Sequence, residues 1–536
     1  MKKMGISLVI TAIIGFVLYY LFLPALNPSS YGFWVYAFVL IGIFVFLDLI
    51  VNREGLRLKV SALAKYLVIG AILVVLGITV LNVANSPVIR AGSYANRIEI
   101  DQSGNFYEDV APVNFNHIPL LDKESSQKLG DRVMGQLPEL VSQFYVSNIY
   151  TQINYQNEII RVTPLEYDGI IKYFNNRKEG VKGYITVNSV DGEAKLVKLD
   201  KGMKYMPSAY FNENIYRHVR FSYPTAIFAT PTFELDNEGN PYWIFPTVSY
   251  TAVGLKPDIN GVIIVDPITG DTERYESGDV PAWIDHVYNP SLIIEQVDNW
   301  GLYNGGFFNS IFGQRNVVET TDGYNYIIMN DDVYLYTGIT SIASDESNLG
   351  FILSNLRTKE TNFYSVPGAE EYSAMASAEG QVQQMAYQAS FPLLINLNGK
   401  ATYLISLKDY AGLVKMYAFV DVVDYQKVVV TEASYGIEQA AKNYLGVDGT
   451  GDVEITYDTV NFTALITSIK EVTINGTTYY YLTDDNNNHY RVSIIVDEMN
   501  LPFLEVENTV SGKYYKNDTI NEITEVESIN KAQDLN

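Results

Sequence analysis

Cysteine is absent from all 536 residues of the chain. That excludes disulfides, thiolate metal sites and a cysteine nucleophile, so the fold has to rest on its apolar core alone. Histidine is scarce as well: His117, His218, His286 and His489 stand at least 68 positions apart. None has a second His or Glu at the i, i+4 spacing of zinc hydrolases, so each is expected to be structural. The phosphate-binding patterns G-x-x-x-x-G-K-[ST] and G-x-G-x-x-G do not occur, nor does the G-x-S-x-G nucleophile elbow. The usual signatures of nucleotide and serine-hydrolase chemistry are therefore missing.

Positive charge is also in short supply after the N-terminal region. The first 85 residues hold six Lys and Arg and two Asp and Glu, which leaves 31 basic against 59 acidic residues, a net −28, for residues 86–536. Such a surface repels nucleic acid and anionic head groups and favours solubility. It suits cationic partners or a polyanionic cell wall.

What the first 85 residues do contain is three apolar runs, Gly5 to Leu26, Tyr31 to Val51 and Tyr66 to Ala84. Each is about 20 residues long, enough at 1.5 Å per residue to cross a hydrocarbon layer of roughly 30 Å. A cleaved signal peptide competes for the first run, but no small-x-small cleavage site follows it and two more spans do, so a retained helix is expected. Lys2 and Lys3 precede the first span, Asn27 to Ser30 carries no charge, and Asn52 to Lys65 carries Arg53, Arg57, Lys59 and Lys65 against Glu54. By the positive-inside rule the N-terminus is cytoplasmic and residues 86–536 are extracellular. Asp48, the only ionisable residue inside the spans, lies close to Asn52 and Arg53. It reads as an interfacial residue rather than part of an ion pathway.

Beyond the spans, three stretches align without gaps: GYITVNSVDGEAKLV (183–197), GVIIVDPITGDTERY (261–275) and GFILSNLRTKETNFY (350–364). They share Gly183, Gly261 and Gly350 at the first position, Ile185, Ile263 and Ile352 at the third, Asn188, Asp266 and Asn355 at the sixth, and Glu193, Asp271 and Glu360 at the eleventh. Each reads as a β-hairpin in which Asn or Asp opens the turn and Gly192 or Gly270 takes a positive φ near its end. Lys359 replaces that glycine in the third copy, so a looser turn is expected there. Further hairpins are expected around Asn237 to Asn240, at Asn330 to Asp332 and at Asn398-Gly399, with a helix over 369–385. Upstream, Asp122 to Leu140 reads as a helix capped by Asp122, and residues 157–175 as a strand with a helical stretch after Pro164.

The order helix, hairpin, hairpin, closed by a strand pair of the form V-D-x-x-T-G-D/E, resembles the PepSY domain, a small α/β module of exported bacterial proteins. Val265, Asp266, Thr269, Gly270 and Asp271 carry the resemblance, with Val187, Asn188, Gly192 and Glu193 following less closely. Because D-x-x-x-G turns are common, an unrelated series of meanders is the alternative. The whole chain also resembles uncharacterised membrane proteins of Gram-positive bacteria that carry three N-terminal spans and a large outer domain. Avoidance of cysteine is shared by many exported proteins of those bacteria.

After a helix over Glu432 to Leu445, GVDGTGD (446–452) reads as a linker. VEITYDTV, FTALITSIKEVTI, TTYYYLTD, HYRVSIIVDE and VSGKYYK then read as five short strands of a small barrel, with Asn475-Gly476 as a turn and the tail as disordered. FLEVENTVSGKYY resembles the closing strands of an OB-fold. Tyr479, Tyr480, Tyr481 and Tyr490 could stack on bases, but residues 451–536 hold 5 basic against 15 acidic residues, which disfavours nucleic acid. The expected fold is thus α+β: a transmembrane anchor over 1–85, a juxtamembrane region over 86–180, PepSY-like units over 181–368 and 369–445, an OB-like barrel over 451–528 and a tail over 529–536.

No catalytic, cofactor or metal site is expected. Acidic turns at Asp484 to Asn488, Asp236 to Asn240 and Asn330 to Asp332 do not fit the twelve-residue calcium loop and are read as backbone turns. The least ordinary stretch is 204–228, where Lys204, Tyr205, Tyr210, Arg217, His218, Arg220 and Tyr223 gather base and aromatic in an acidic region. Such a patch either packs between repeats or grips a ligand or partner. The expected function is a non-enzymatic binding, regulatory or scaffold protein of the cell envelope. The PepSY resemblance implies an exported protein, a peptidase or a propeptide as its partner. The alternative is an envelope enzyme acting on wall glycan through a carboxylate pair, although nothing singles out such a pair.

Overall fold

The structure, a computed structural model, describes residues 2–53, 59–329, 331–342, 344–448, 459–474, 477–497, 499–515 and 520–531. It divides into two compact units, residues 1–113 with 117–453, and residues 114–116 with 454–536.

In the first unit, helices α1 (Lys2–Phe22), α2 (Tyr31–Val51) and α3 (Ala62–Ala84) are each long and apolar enough to cross a membrane. Asp48 is buried at the end of α2, where its carboxylate accepts hydrogen bonds from Asn52 Nδ2 at 2.8 Å and from the Ser61 N–H at 2.7 Å. It fastens the turn between α2 and α3. Helix α4 (Pro87–Ala95), strand β1 (Ile100–Asp101) and helix α5 (Phe106–Asp109) lead to the large domain.

That domain repeats one plan four times. Its first sheet follows α6 (Lys123–Gly135) and α7 (Pro138–Val141); it contains β2 (Phe144–Val146), β3 (Thr151–Tyr155), β4 (Glu158–Tyr167), β5 (Val181–Asn188) and β6 (Ala194–Met203), with α8 (Ile170–Asn176) between β4 and β5. The second follows α9 (Ile215–Ser222) with β7 (Ile227–Phe228), β8 (Thr232–Leu235), β9 (Pro241–Ser249), β10 (Asp258–Val265) and β11 (Thr272–Glu276). The third follows α10 (Pro290–Tyr303) with β12 (Val318–Thr320), β13 (Asn325–Met329), β14 (Asp332–Ser341), β15 (Ser344–Asn355) and β16 (Thr361–Tyr364), plus the short β17 (Gly368–Ala369). The fourth follows α11 (Glu371–Gln381) with β18 (Gln388–Ala389), β19 (Leu393–Leu397), β20 (Lys400–Lys408), β21 (Val414–Asp421) and β22 (Val428–Glu432), and α12 (Ile437–Asp448) packs against its last strands. In every sheet two short strands lie end to end along one side of the third strand, and the fourth and fifth continue on its other side. Residue 180 lies inside the first of these sheets, between α8 and β5, so the first repeat begins at α6.

The repeat shows at positions that have no one side chain in common across the four units. Where the two short strands meet, the third strand places Pro164, Pro246, Gly338 and Ser406. Their carbonyls accept from the N–H groups of Ser147 (3.0 Å), Ala229 (2.9 Å), Thr321 (3.0 Å) and Ser390 (2.8 Å). An N–H at this gap has no strand partner, so proline is tolerated. At Ser406 the N–H turns instead to Ser390 Oγ at 3.1 Å. This is why β4 runs straight through Pro164 to Tyr167 and the helix begins only at Ile170, contrary to the expectation of a helical stretch directly after the proline.

The closing hairpins of the first three units are superimposable in their bonding. The N–H groups of Asn188, Asp266 and Asn355 donate to the carbonyls of Glu193, Asp271 and Glu360 at 2.8, 3.0 and 2.8 Å. Those of Gly192, Gly270 and Lys359 return to Asn188, Asp266 and Asn355 at 3.0, 2.9 and 2.9 Å. Lys359 takes φ +66°, beside +80° for Gly192 and +82° for Gly270, so the third turn is no looser than the others. A left-handed lysine costs roughly 1–2 kcal/mol. Its ammonium is fixed by Asp258 at 2.9 and 3.1 Å, which offsets part of that cost. At the other end of each hairpin, a Cβ on Gly183, Gly261 or Gly350 would collide with the carbonyl of the paired strand.

Successive units share cores. One cluster joins Ile185 and Val187 to Trp243 and Phe245, a second joins Ile244 and Val262 to Leu335 and Ile352, and a third joins Tyr336 and Phe351 to Tyr403 and Ile405. The fourth unit then returns to the first helix: Lys408 Nζ meets Asp122 at 2.6 Å, Ser406 Oγ donates to the Leu120 carbonyl at 2.8 Å, and Ser125 Oγ to that of Gly412 at 3.0 Å. The array therefore closes on itself rather than running as a straight string.

The second unit is a closed barrel of β23 (Val460–Ile474), β24 (Thr477–Asp484), β25 (His489–Ser493), β26 (Asn508–Tyr515) and β27 (Asn521–Lys531), in the order β23-β24-β25-β27-β26 with β25 and β27 parallel. That is an OB-like arrangement. The strand expected at VEITYDTV falls, apart from its last two residues, outside the described residues, as does the turn Asn475-Gly476; the fifth strand is β27, part of which was expected as tail. Bulges between Ser511 and Gly512 and between Lys513 and Tyr514 break the period-2 pattern of this pair, so β27 places Ile523 and Val526 three residues apart. The segment read as a linker begins inside α12, which extends to Asp448; residues 449–452 lie outside the described part.

Candidate functional site

The unusual stretch 204–228 forms α9 and its flanks. Asn214 caps the helix by accepting from the Arg217 N–H at 3.2 Å, while Ile215 and Val219 enter the core beside Phe245. The opposite side of α9 meets the end of α1. There Arg217 Nε donates to the Tyr20 carbonyl at 3.2 Å, another of its N–H groups donates to Phe211 O, and its guanidinium lies 4.1 Å from the centre of the Tyr20 ring. Arg220 is 6% exposed; its Nε donates to the Leu23 carbonyl at 3.0 Å, and Nη1 reaches the carbonyls of Tyr223, Pro224 and Ala226. The last carbonyls of a helix lack intrahelical partners and carry partial negative charge, so cations belong there. Burial pulls the Arg220 guanidinium down from its ordinary range to about 10.

The rest of the patch faces the second sheet. Lys204 and Tyr205 donate their N–H groups to the Pro267 carbonyl at 2.7 and 2.9 Å, and His218 Nε2–H donates to that of Gly270 at 2.7 Å. The Tyr205 ring packs against His218, tilted by 49° with centroids 4.4 Å apart, and Tyr223 Oη donates to Thr272 Oγ1 at 3.2 Å. Lys204, Tyr205 and His218 thus bind the turn of GVIIVDPITGDTERY and Tyr223 the strand that follows it, while Arg217 and Arg220 reach the end of α1 and the Tyr210 ring packs on Tyr173 of α8 at 5.4 Å. Sequence reading brought the seven together as one patch; the structure splits them across two sides of one short helix.

A second attachment carried no sequence signal strong enough to single it out. Asn82 of α3 accepts from the Val253 N–H at 3.2 Å and donates back to the Val253 carbonyl at 3.0 Å. The Gly254 N–H donates to the Ser29 carbonyl at 2.9 Å, and Gly254, at φ +67°, lies flat against the Tyr31 ring. Asn27 Nδ2 donates to the Thr225 carbonyl at 3.1 Å and the Leu26 N–H to that of Pro224 at 2.8 Å. Asn82 in LNVAN and an uncharged NPSS loop were the only clues.

Beside Arg217 opens a cleft of about 450 Å³ lined by Tyr20, Ser208, Tyr210, Phe211, Asn214 and Arg217, among other residues, with no carboxylate in its wall. The buried carboxylates lie elsewhere. Glu234 is 0% and Asp285 3% exposed, the Asp285 N–H donating to Glu234 at 2.9 Å; burial first, and then the Glu234 charge, push the Asp285 carboxyl well above the usual range. Glu371 is likewise buried, accepting from Tyr336 Oη at 3.0 Å and Asn348 Nδ2 at 2.9 Å. At the acidic turns, Asp236 accepts from the N–H groups of Glu238 and Asn240, and Asp484 from those of Asn486 and Asn488, so these carboxylates brace their own loops. Tyr480 and Tyr490 are buried in the barrel core.

Fold and site together define a membrane protein: three apolar helices onto which a closed four-unit α+β domain is fastened, with a small barrel after it. Comparison with protein-family models and with curated proteins returns no match for the chain.

Proposed function

We propose that the chain is an anchored binding or scaffold protein of the cell envelope, its large domain outside the cell, which docks an exported protein along its sheet edges without breaking bonds. The observation that carries this reading is an edge already in use. Strand β1 pairs in parallel with β16, the last strand of the third sheet, through Ile100↔Thr361 and Asp101↔Asn362. Among the described residues, the corresponding last strands β6 and β11 pair only with β5 and β10. Main-chain groups on such an edge supply affinity to an incoming strand. The likeness to PepSY modules and the basic loop between the second and third spans point to an exported partner and an outer placement.

The test is a photo-crosslinking residue placed at Lys198 on β6, at Arg274 on β11 and, as the covered control, at Asn362 on β16, in cells carrying the full chain. The reading expects one envelope protein to be captured from β6 or β11 and not from β16. Capture from none of them, or protection of residues 86–536 from protease added to intact cells, overturns it.

A further inference from the structure

The level of the membrane surface on the domain side is written in aromatic residues. Tyr19 and Tyr20 end α1, and Tyr31 and Trp34 begin α2, where amphipathic rings sit at head-group depth. Phe221 of α9 packs edge-on against Tyr19 and Tyr20 at 5.4 and 6.2 Å, so α9 and the cleft beside it lie at that depth. Apolar side chains continue outward from the cleft: Phe211 is 49%, Phe174 54% and Ile171 70% exposed, the rings of Phe174 and Phe211 being 6.1 Å apart. In water these would form an exposed apolar patch; at this depth they meet acyl chains.

The charge at the same place is positive in a domain that is otherwise strongly acidic. Arg217 and Arg220 have carbonyls and aromatic rings as partners, and the acid closest to the cleft along the chain, Glu213, is taken by Arg177 at 3.0 Å and Tyr173 Oη at 2.7 Å. A guanidinium has five N–H donors in a fork that fits phosphate. Phe211 holds φ +54°, a conformation costly for a bulky residue and common where ligands bind. The cleft of about 450 Å³ is of ligand size, far larger than one free phosphate needs. The net −28 of residues 86–536 also repels small anions approaching from solution. A lipid is held at that surface by its acyl chains, which a free anion lacks, and it meets the local positive charge of Arg217.

From this the structure assigns the cleft to the head group of an anionic phospholipid in the leaflet that faces the domain. Its phosphate lies on Arg217 and Asn214, and its acyl chains run along α1 past Tyr20 and Phe211.

The test uses the full chain, purified in detergent, stripped of lipid, reloaded with phosphatidylglycerol or phosphatidylcholine and examined by native mass spectrometry. One phosphatidylglycerol should be retained under activation that removes phosphatidylcholine. Arg217→Gln should lower its affinity about tenfold, the loss of a charge-assisted contact. Phe211→Asn, which suits the left-handed backbone and leaves both arginines in place, should lower it several-fold with an unchanged melting temperature. Equal retention of the two lipids by the natural chain overturns the assignment. So does full retention of phosphatidylglycerol by both variants, or its displacement by millimolar inorganic phosphate.

Discussion

The two attachments of the large domain to its helices are built from opposite materials. At α9, two guanidiniums reach the frayed carbonyls of α1 and leave a cleft beside them. At the Val253-Gly254 loop, neutral amides and a glycine close flat on α2 and α3. The difference teaches which one is a lock and which one has room for a ligand. A close-packed neutral joint gains only from its own contacts, whereas a charged joint with an open wall can gain from the lipid around it.

That contrast can be broken by substitution, measured as stability of the full chain in bilayer discs. Gly254→Val should do the most, about 3 kcal/mol, because the new side chain meets Tyr31 and cannot relax at φ +67°. Arg220→Met should cost roughly 2–3 kcal/mol, since it leaves the part-buried carbonyls of Leu23 and Ala226 without their donor. Asn82→Leu should cost about 1–2 kcal/mol, from the unpaired Val253 amide. Exchanging anionic for zwitterionic lipid should destabilise the natural chain and the Asn82→Leu variant alike, and the contrast fails if Asn82→Leu removes that lipid dependence.

Asp285→Asn supplies the control, away from both joints. The native carboxyl is raised above its ordinary 3.8 by burial and by Glu234, with the Asp332 and Asp331 charges adding to the rise and the Asn154 N–H opposing it. Its contribution to stability is therefore complete below the unfolded value and is lost as pH rises through the native one. The Asn variant, neutral throughout, should be the more stable chain at pH 8. Its advantage should shrink as pH falls toward the ordinary carboxylate range, with no dependence on lipid. An advantage that grows on acidification would contradict the burial argument.

The closing hairpins were legible in sequence because Asn188, Asp266 and Asn355 hydrogen-bond their own turns, a constraint contained within six residues. The alignment of Pro164, Pro246, Gly338 and Ser406 was not, since what they share is a gap in a neighbouring strand rather than a side chain. Strand β27 escaped for a related reason: bulges in its pairing with β26 erase the alternation by which strands are recognised. In the patch at 204–228 the right residues stood out by composition. Their partners are main-chain carbonyls of Tyr20 and Leu23, which no residue letter displays.

The return of Lys408 to Asp122 spans 286 residues. At a synthesis rate of about 5–20 residues per second, the acid waits roughly 15–60 s for its base to leave the ribosome. During that interval the apolar helices are already committed to the bilayer, and one unit after another can collapse onto its predecessor. The last to arrive is the one that meets the first, so completion of the domain is timed by the length of the chain itself.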